Sequence, residues 1–415
     1  MPAQAASASV HALARFAMMY EPMSYSSPKS ANAAALGAAI FAAWVIACSA
    51  ATAGEPDPAR QQTMIEAGRR LFFDVRLSEP PGTACASCHD PARAFSGDNG
   101  SGLPVPRGSR AGMLGTRNTP TAMYLATSPG PGTLEKDGKV VPSGGFFWDG
   151  RAATLADQAL GPLFSAHEMN NRDMAALVAK VAASDTAPLL RQVYGAEVFA
   201  STERAGKAIT GALVAFEQSP TLSPFTSKFD AALRGEAKLT EQEERGRSLF
   251  VIAQKGNCAS CHTVNPDSHE PRDSLFTDFG FHALGVPRNK DIARPSVMDL
   301  GRCDTLPADA VDRSRWCGWF KTPTLRNIAL TAPYMHNGRF ATLREAVAFY
   351  ATRDTNPERW YPGAKFDDLP ESLRGNVDVE GRPYHRKPGQ RPALNDEEVD
   401  DIVAFLRTLT DGYAP

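Results

Sequence analysis

Two stretches of the chain repeat one arrangement of charged, small and apolar positions. Glu66-Ala67-Gly68-Arg69-Arg70-Leu71-Phe72 and Glu244-Arg245-Gly246-Arg247-Ser248-Leu249-Phe250 share an acidic start, a central glycine and a Leu-Phe end. Self-similarity of this kind signals a duplicated unit. Each unit also closes on apolar residues at helical spacing: Ile209, Leu213 and Phe216 in the first, and Ile402, Phe405, Leu406 and Leu409 in the second. That spacing predicts an amphipathic helix with one buried face at the end of each unit. A further helix reads from Leu343 to Tyr350. Between the helices, residues 96–146 and 263–323 are rich in Gly, Pro and Asn and show little periodicity. Loops this long in a compact domain are functional or pinned by something they bind. No alternating strand pattern is sustained, so the chain reads as mostly α.

The chemistry enters with Cys85-Ala86-Ser87-Cys88-His89 and Cys258-Ala259-Ser260-Cys261-His262, one copy in each unit. Two thiols three positions apart can each form a thioether to a haem vinyl group, and the following histidine supplies an imidazole to the iron. A lone Cys-x-x-Cys-His would also fit half of a zinc site or a redox pair. Two copies, each ending in His, favour covalent haem, with His89 and His262 as iron ligands.

The 415 residues exceed one such domain and suit two with a sorting segment in front. A net charge of −2 with 22% charged residues offers no basic excess for nucleic acid. From Ala31 to Ala53 the chain is Ala-rich and apolar, follows Lys29 and ends Ala51-Thr52-Ala53 before polar residues, as a secretory signal does. Met23 makes a more ordinary start for such a signal than Met1. Val45-Ile46-Ala47-Cys48 also resembles a lipoprotein cleavage box, which would give a lipid anchor at Cys48. Either route leads to the periplasm, where disulfides persist. No other run approaches the ~18 apolar residues of a membrane span. Cys303 and Cys317 then remain, a pair that favours a disulfide in this compartment over two free buried thiols.

Several segments resemble the bacterial di-haem cytochrome c peroxidase and MauG family. They are Arg117-Asn118-Thr119-Pro120-Thr121, Phe147-Trp148-Asp149-Gly150-Arg151, Gln158-Ala159-Leu160-Gly161-Pro162, Glu168-Met169-Asn170, Lys321-Thr322-Pro323-Thr324-Leu325-Arg326-Asn327 and Thr331-Ala332-Pro333-Tyr334-Met335-His336. They occur in the family's order over nearly all of the chain after the signal. The resemblance implies two cytochrome c-like domains with long loops, each carrying one covalently bound c-type haem: a signal segment over 1–53, an N-terminal domain over 54–237 with the peroxide-reactive haem, and a C-terminal domain over 238–415 with a six-coordinate haem. It also implies a calcium ion held by Asn118 and the carbonyls of Thr331 and Pro333, oxygen ligands that suit that ion. Trp148 would relay electrons between the haems. Gln158, Pro162 and Glu168 would form the distal pocket of the first haem, with Glu168 as acid and base toward hydrogen peroxide and His167 as its rival.

Two departures separate the chain from the ordinary peroxidases of that family. They hold a distal His in the loop before the Asn-Thr-Pro segment, whereas here no His lies between His89 and His167, and Arg110 lies about where that ligand would be. Their Met ligand, fourteen residues beyond the His of the Pro-Tyr-x-His segment, is Tyr350 here, as in MauG-like proteins. A phenolate is a hard anionic donor that favours oxidised iron. Met335 and Met298 are the other residues able to ligate this iron. The segments Phe349-Tyr350-Ala351-Thr352-Arg353-Asp354-Thr355 and Trp360-Tyr361-Pro362 resemble the MbnH-like group of MauG relatives. This resemblance implies a peroxide-dependent enzyme that passes oxidising equivalents, through a high-valent bis-ferryl type state, to tryptophan in a periplasmic partner protein. The alternative is a peroxidase supplied with electrons by a small redox cytochrome. The exit tryptophan of MauG, two residues before the second haem motif, is Gly256 here, leaving Trp316, Trp319 and Trp360 as exits.

Overall fold

The computed structural model describes residues 57–136, 138–292 and 298–414. The targeting segment expected over 1–53, with Met23 and Cys48, lies outside the described residues. Among those residues helices dominate and gather around two cores. In the first, α1 (Pro58–Phe73) packs across α6 (Thr202–Glu217), and α2 (Cys85–Cys88), α3 (Leu155–Phe164), α4 (Met174–Ala182) and α5 (Ala187–Tyr194) fall between them in the chain. After the connecting α7 (Lys228–Leu233), the second core repeats the crossing with α8 (Glu241–Val251) and α10 (Asp396–Arg407), against which α9 (Leu343–Thr352) leans. Polar residues set the helix starts. Thr240 with Glu243 and Asn395 with Glu398 form reciprocal capping boxes at α8 and α10, each occupying backbone donors that would otherwise lack partners.

The sequence repeat is explained at the two crossings. A Cβ on Gly68 would lie 1.9 Å from the Ala212 carbonyl oxygen of α6, and one on Gly246 would lie 2.0 Å from that of Asp401 in α10. Only glycine lets the helices approach this closely. The aromatic residue four positions on fills the wedge beside each contact: Phe72 packs edge-on against Phe216 with ring centroids 5.2 Å apart, and Phe250 against Phe405 at 5.4 Å. Phe216 and Phe405 are therefore equivalent positions in the two units.

One expectation is corrected. Inside the stretch read as loop, β1 (Gly132–Lys136) pairs antiparallel with β2 (Lys139–Ser143) in register Leu134 to Val141. Neither strand has a fully buried residue, so no apolar alternation marks it. A second pairing, β3 (Phe281–His282) with β4 (Phe320–Lys321), spans two residues on each side.

The long loops are pinned by side chains. Arg326, with its side chain fully buried, pairs with both oxygens of Asp230 at 3.0 Å and donates to the carbonyls of Ser274 and Pro271. Its guanidinium also stacks 4.6 Å from Phe225 and 5.0 Å from Tyr124, which joins the two units. Cys303 and Cys317 form the expected disulfide, 14 residues apart and buried. Closing a loop of this size stabilises by about 3 kcal/mol. Replacing both cysteines by serine is expected to lower unfolding free energy by roughly that amount, measured in denaturant. An unchanged midpoint would show that the loop is held by its other contacts alone.

Candidate functional site

Each haem motif sits on a short helical turn that opens into a shared cavity of about 1730 Å3. That exceeds an ordinary small-molecule pocket. Cys85, Cys88, Cys258 and Cys261 are free thiols on its wall, and burial pushes Cys88 and Cys258 up to about 12.

The two histidines are oriented alike. His89 Nδ1 donates to the carbonyl of Phe95, and His262 Nδ1 to that of Phe276, both at 2.9 Å. Nδ1 is occupied in each, leaving Nε2 as the nitrogen free for an iron. Burial lowers both imidazoles, His262 to about 4, so each is the neutral ligand form. Phe95 and Phe276 adopt the left-handed backbone, with φ of 54° and 55°. That conformation costs a non-glycine residue about 1–3 kcal/mol and here aims a carbonyl at a ligand. Two preset imidazoles, four free thiols and the cavity fit two covalently attached haems.

On the first unit's wall, α3 presents Gln158 and Pro162 one turn apart, and Glu168 follows on the turn after the helix. Glu168 is anchored through its backbone: its N–H donates to Ser165 and its carbonyl accepts from Ser109. The loop carrying Ser109 passes so close that a Cβ on Gly108 would lie 2.2 Å from the His167 carbonyl oxygen. Burial raises the Glu168 carboxyl above its usual range, against the opposing pull of the Ser165 hydroxyl and Arg151. His167 is exposed, with Nδ1 3.1 Å from the Leu114 carbonyl. Arg110 is exposed and donates to the Ala166 carbonyl, away from the cavity. From residues 106–117, the cavity wall receives Pro106, Gly115, Thr116 and Arg117, none of which is a soft or imidazole ligand.

Trp148 bridges the units. Its indole N–H donates to the Asn118 carbonyl at 2.9 Å, while its own carbonyl accepts from Lys321 of β4. Asn118 N–H donates to the His336 carbonyl, and Asn118, Thr331 and Pro333 all face the cavity. Tyr350, on α9, lines the second unit's part of the cavity, where burial holds its phenol well above the usual range, so that a phenolate there requires the positive charge of a bound metal. Its ring lies 6.3 Å from that of Tyr384. Met335 also faces the cavity, whereas Met298 is not on its wall. Trp316 and Trp319 form an edge-on pair 5.1 Å apart beside the disulfide and line the same cavity. Trp360 is instead part of the core, packed on Phe340 and Phe349 with its N–H on Thr352.

Sequence reasoning missed three groups on this wall. Lys136 reaches from β1 to within 3.1 Å of Cys261 Sγ and 3.0 Å of Asp278, next to His282. Lys321 is lowered to about 8 by burial. Glu217, the last residue of α6, is 6% exposed and faces the cavity.

Comparison with known proteins matches residues 62–238 to the family model described as di-haem cytochrome c peroxidase, and residues 243–410 to that of cytochrome c. The chain is 36% identical over 371 residues to methylamine utilization protein MauG of Paracoccus denitrificans, covering 88% of this chain and 92% of that one. Among solved structures, the diheme peroxidase BthA of Burkholderia thailandensis is 46% identical with a TM-score of 0.80, over 86% of this chain and 87% of its own. A MauG-like protein associated with microbial copper homeostasis is 30% identical with a TM-score of 0.61, over 85% and 90%.

Proposed function

The chain belongs to the di-haem cytochrome c peroxidase and MauG family, and from that premise we propose that it uses hydrogen peroxide to oxidise tryptophan side chains of a periplasmic partner protein. The family makes it a peroxide-dependent di-haem oxidoreductase. The observation that carries the finer reading is Tyr350. It lies on the wall of the second haem motif, and as a phenolate it would favour oxidised iron there, suiting a store of oxidising equivalents more than a reservoir of reducing ones.

Haem bound at these motifs supplies iron that reacts with peroxide and exchanges electrons. His89 and His262 would hold the two irons through Nε2. Glu168 takes a proton from one peroxide oxygen and returns it to the departing one, a transfer that needs a carboxyl in reach of both. Its raised affinity for a proton suits the return step. Gln158 and Pro162 shape the same wall. Trp148, bonded to both units, gives electrons a continuous path between them. Asn118 and the carbonyls of Thr331 and Pro333 would hold calcium beside that path. Trp316, half-buried beside the exposed Arg315, and Trp319 behind it are the exit toward a docked partner.

Disulfide Cys303–Cys317 supports an oxidising compartment, and no helix among the described residues is long and apolar enough to cross a membrane. The test is to add peroxide to the holoenzyme with the product of a neighbouring gene and follow the partner by mass spectrometry. Oxygen added at tryptophan is the expected result. Rapid peroxide turnover with reduced small cytochrome and an unaltered partner would favour the peroxidase instead.

A further inference from the structure

Matched through their glycine crossings, the two units carry side chains of opposite character at one buried position on the cavity wall. Phe216 and Phe405 are equivalent, so Glu217 takes the place that Leu406 holds in the second unit. One turn earlier Leu213 matches Ile402, and all four residues line the cavity. Leu406 is apolar and packed in the second core. Glu217 Oε2 is buried without a hydrogen-bond partner, a state that costs about 1–3 kcal/mol for a neutral group and more for a charged one. A carboxyl where the other unit holds leucine, with one oxygen unpaired and the cavity before it, calls for a reason other than packing.

We propose that Glu217 is a redox-linked proton site of the first haem, holding a proton while the iron is reduced and releasing it to solvent as the iron gives up an electron. In that step the carboxyl O–H bond breaks and one positive charge leaves as another appears on the iron. The electron goes to a one-electron acceptor, the oxidised second haem in the holoprotein or the mediator dye in the titration below. A carboxylate on the wall of a low-dielectric haem cavity stabilises the more oxidised iron, whereas a neutral carboxyl does not. Burial, with no opposing charged neighbour, pushes Glu217 up to about 8.

The other titratable groups around α6 are otherwise engaged. Glu66 on α1 is paired with Arg69 and Arg70, Asp157 on α3 caps Thr154, and Lys180 on α4 bonds Ser78 and Asn171. Tyr194 on α5 lies toward Arg60. Cys85, which feels both Glu217 and Glu168, becomes a thioether. Glu168 and the haem propionates are the rival sources of a pH effect.

The inference rests on haem attachment at Cys85 and Cys88 and not on which substrate is oxidised. It is tested by spectroelectrochemical titration of the first haem in the holoprotein on either side of neutral pH. The wild-type potential is expected to fall as pH rises, by up to tenfold in the reduction constant per pH unit, about 59 mV. Glu217→Gln and Glu217→Leu remove that dependence, and Glu168→Gln retains it. A flat wild-type profile overturns the proposal, as does a slope that survives Glu217→Gln or vanishes in Glu168→Gln. Should both Glu217 variants lose haem, a redox-difference infrared spectrum of Glu168→Gln with isotope-labelled haem propionates decides. A protonated carboxyl lost on oxidation supports the assignment, and none overturns it.

Discussion

Replacing Glu168 by glutamine is expected to slow peroxide turnover by about 10²–10⁴-fold, the range for losing a positioned acid–base group. Both haems should stay attached, because the residue is held through its backbone to Ser165 and Ser109 and the amide fills the same space. The glutamine can neither take the proton from bound peroxide nor give it back. The pH dependence adds a sign. Burial raises the Glu168 carboxyl, and the form that accepts a proton is the carboxylate. The wild-type rate constant for reaction with peroxide should therefore rise with pH through a value above the usual carboxylate range, and the variant should lose that rise. Stopped-flow measurement of the first haem's reaction gives both quantities. A loss of less than tenfold, with the pH limb intact, would transfer the role to another group, of which His167 is nearest in sequence.

The second large effect is on stability. Arg326→Ala is expected to cost about 3–5 kcal/mol, the range for removing one partner of a buried ion pair. Asp230 would be left with its charge in a fully buried site, and the carbonyls of Ser274 and Pro271 would lose their donor. Because the guanidinium also stacks on Tyr124 and Phe225, the junction of the two units should loosen with it. Denaturant unfolding of the holoprotein measures the cost. The paired replacement Arg326→Met with Asp230→Leu should recover much of it, since buried ion pairs exchanged for apolar side chains are often neutral. If the double variant is as unstable as the single one, stacking and the two carbonyl bonds dominate over the unpaired charge.

What could be read from the amino acids tracks the stringency of the chemistry. A thioether pair and an adjacent imidazole demand one spacing, so both haem motifs are plain. The helix crossings are legible as a repeat, although only the geometry at Gly68 and Gly246 explains why glycine recurs. Glu168 has no signature of its own, because a carboxylate after a helix is usually solvated; the resemblance singles it out. The β1–β2 hairpin escapes because strands without a buried face show no alternation. Glu217 leaves a faint trace. It continues the apolar row of α6 four residues after Leu213, and comparison with Ile402 and Leu406 in the other repeat marks it as misplaced. Lys136 gives none, since its contact with Cys261 and Asp278 spans more than a hundred residues.

The glycine crossings also bear on how such a molecule diversifies. A position that admits no side chain at all resists drift, so the α1–α6 and α8–α10 frames keep one shape in both copies. Each copy thus presents matched sockets to its cofactor. Exchanging a single residue within a socket, glutamate for leucine beside one motif, would on the proposal above alter the chemistry without moving the frame. Descendants of one duplicated ancestor could in this way acquire different potentials and proton affinities by point substitution, with no remodelling of the scaffold that had to fold first.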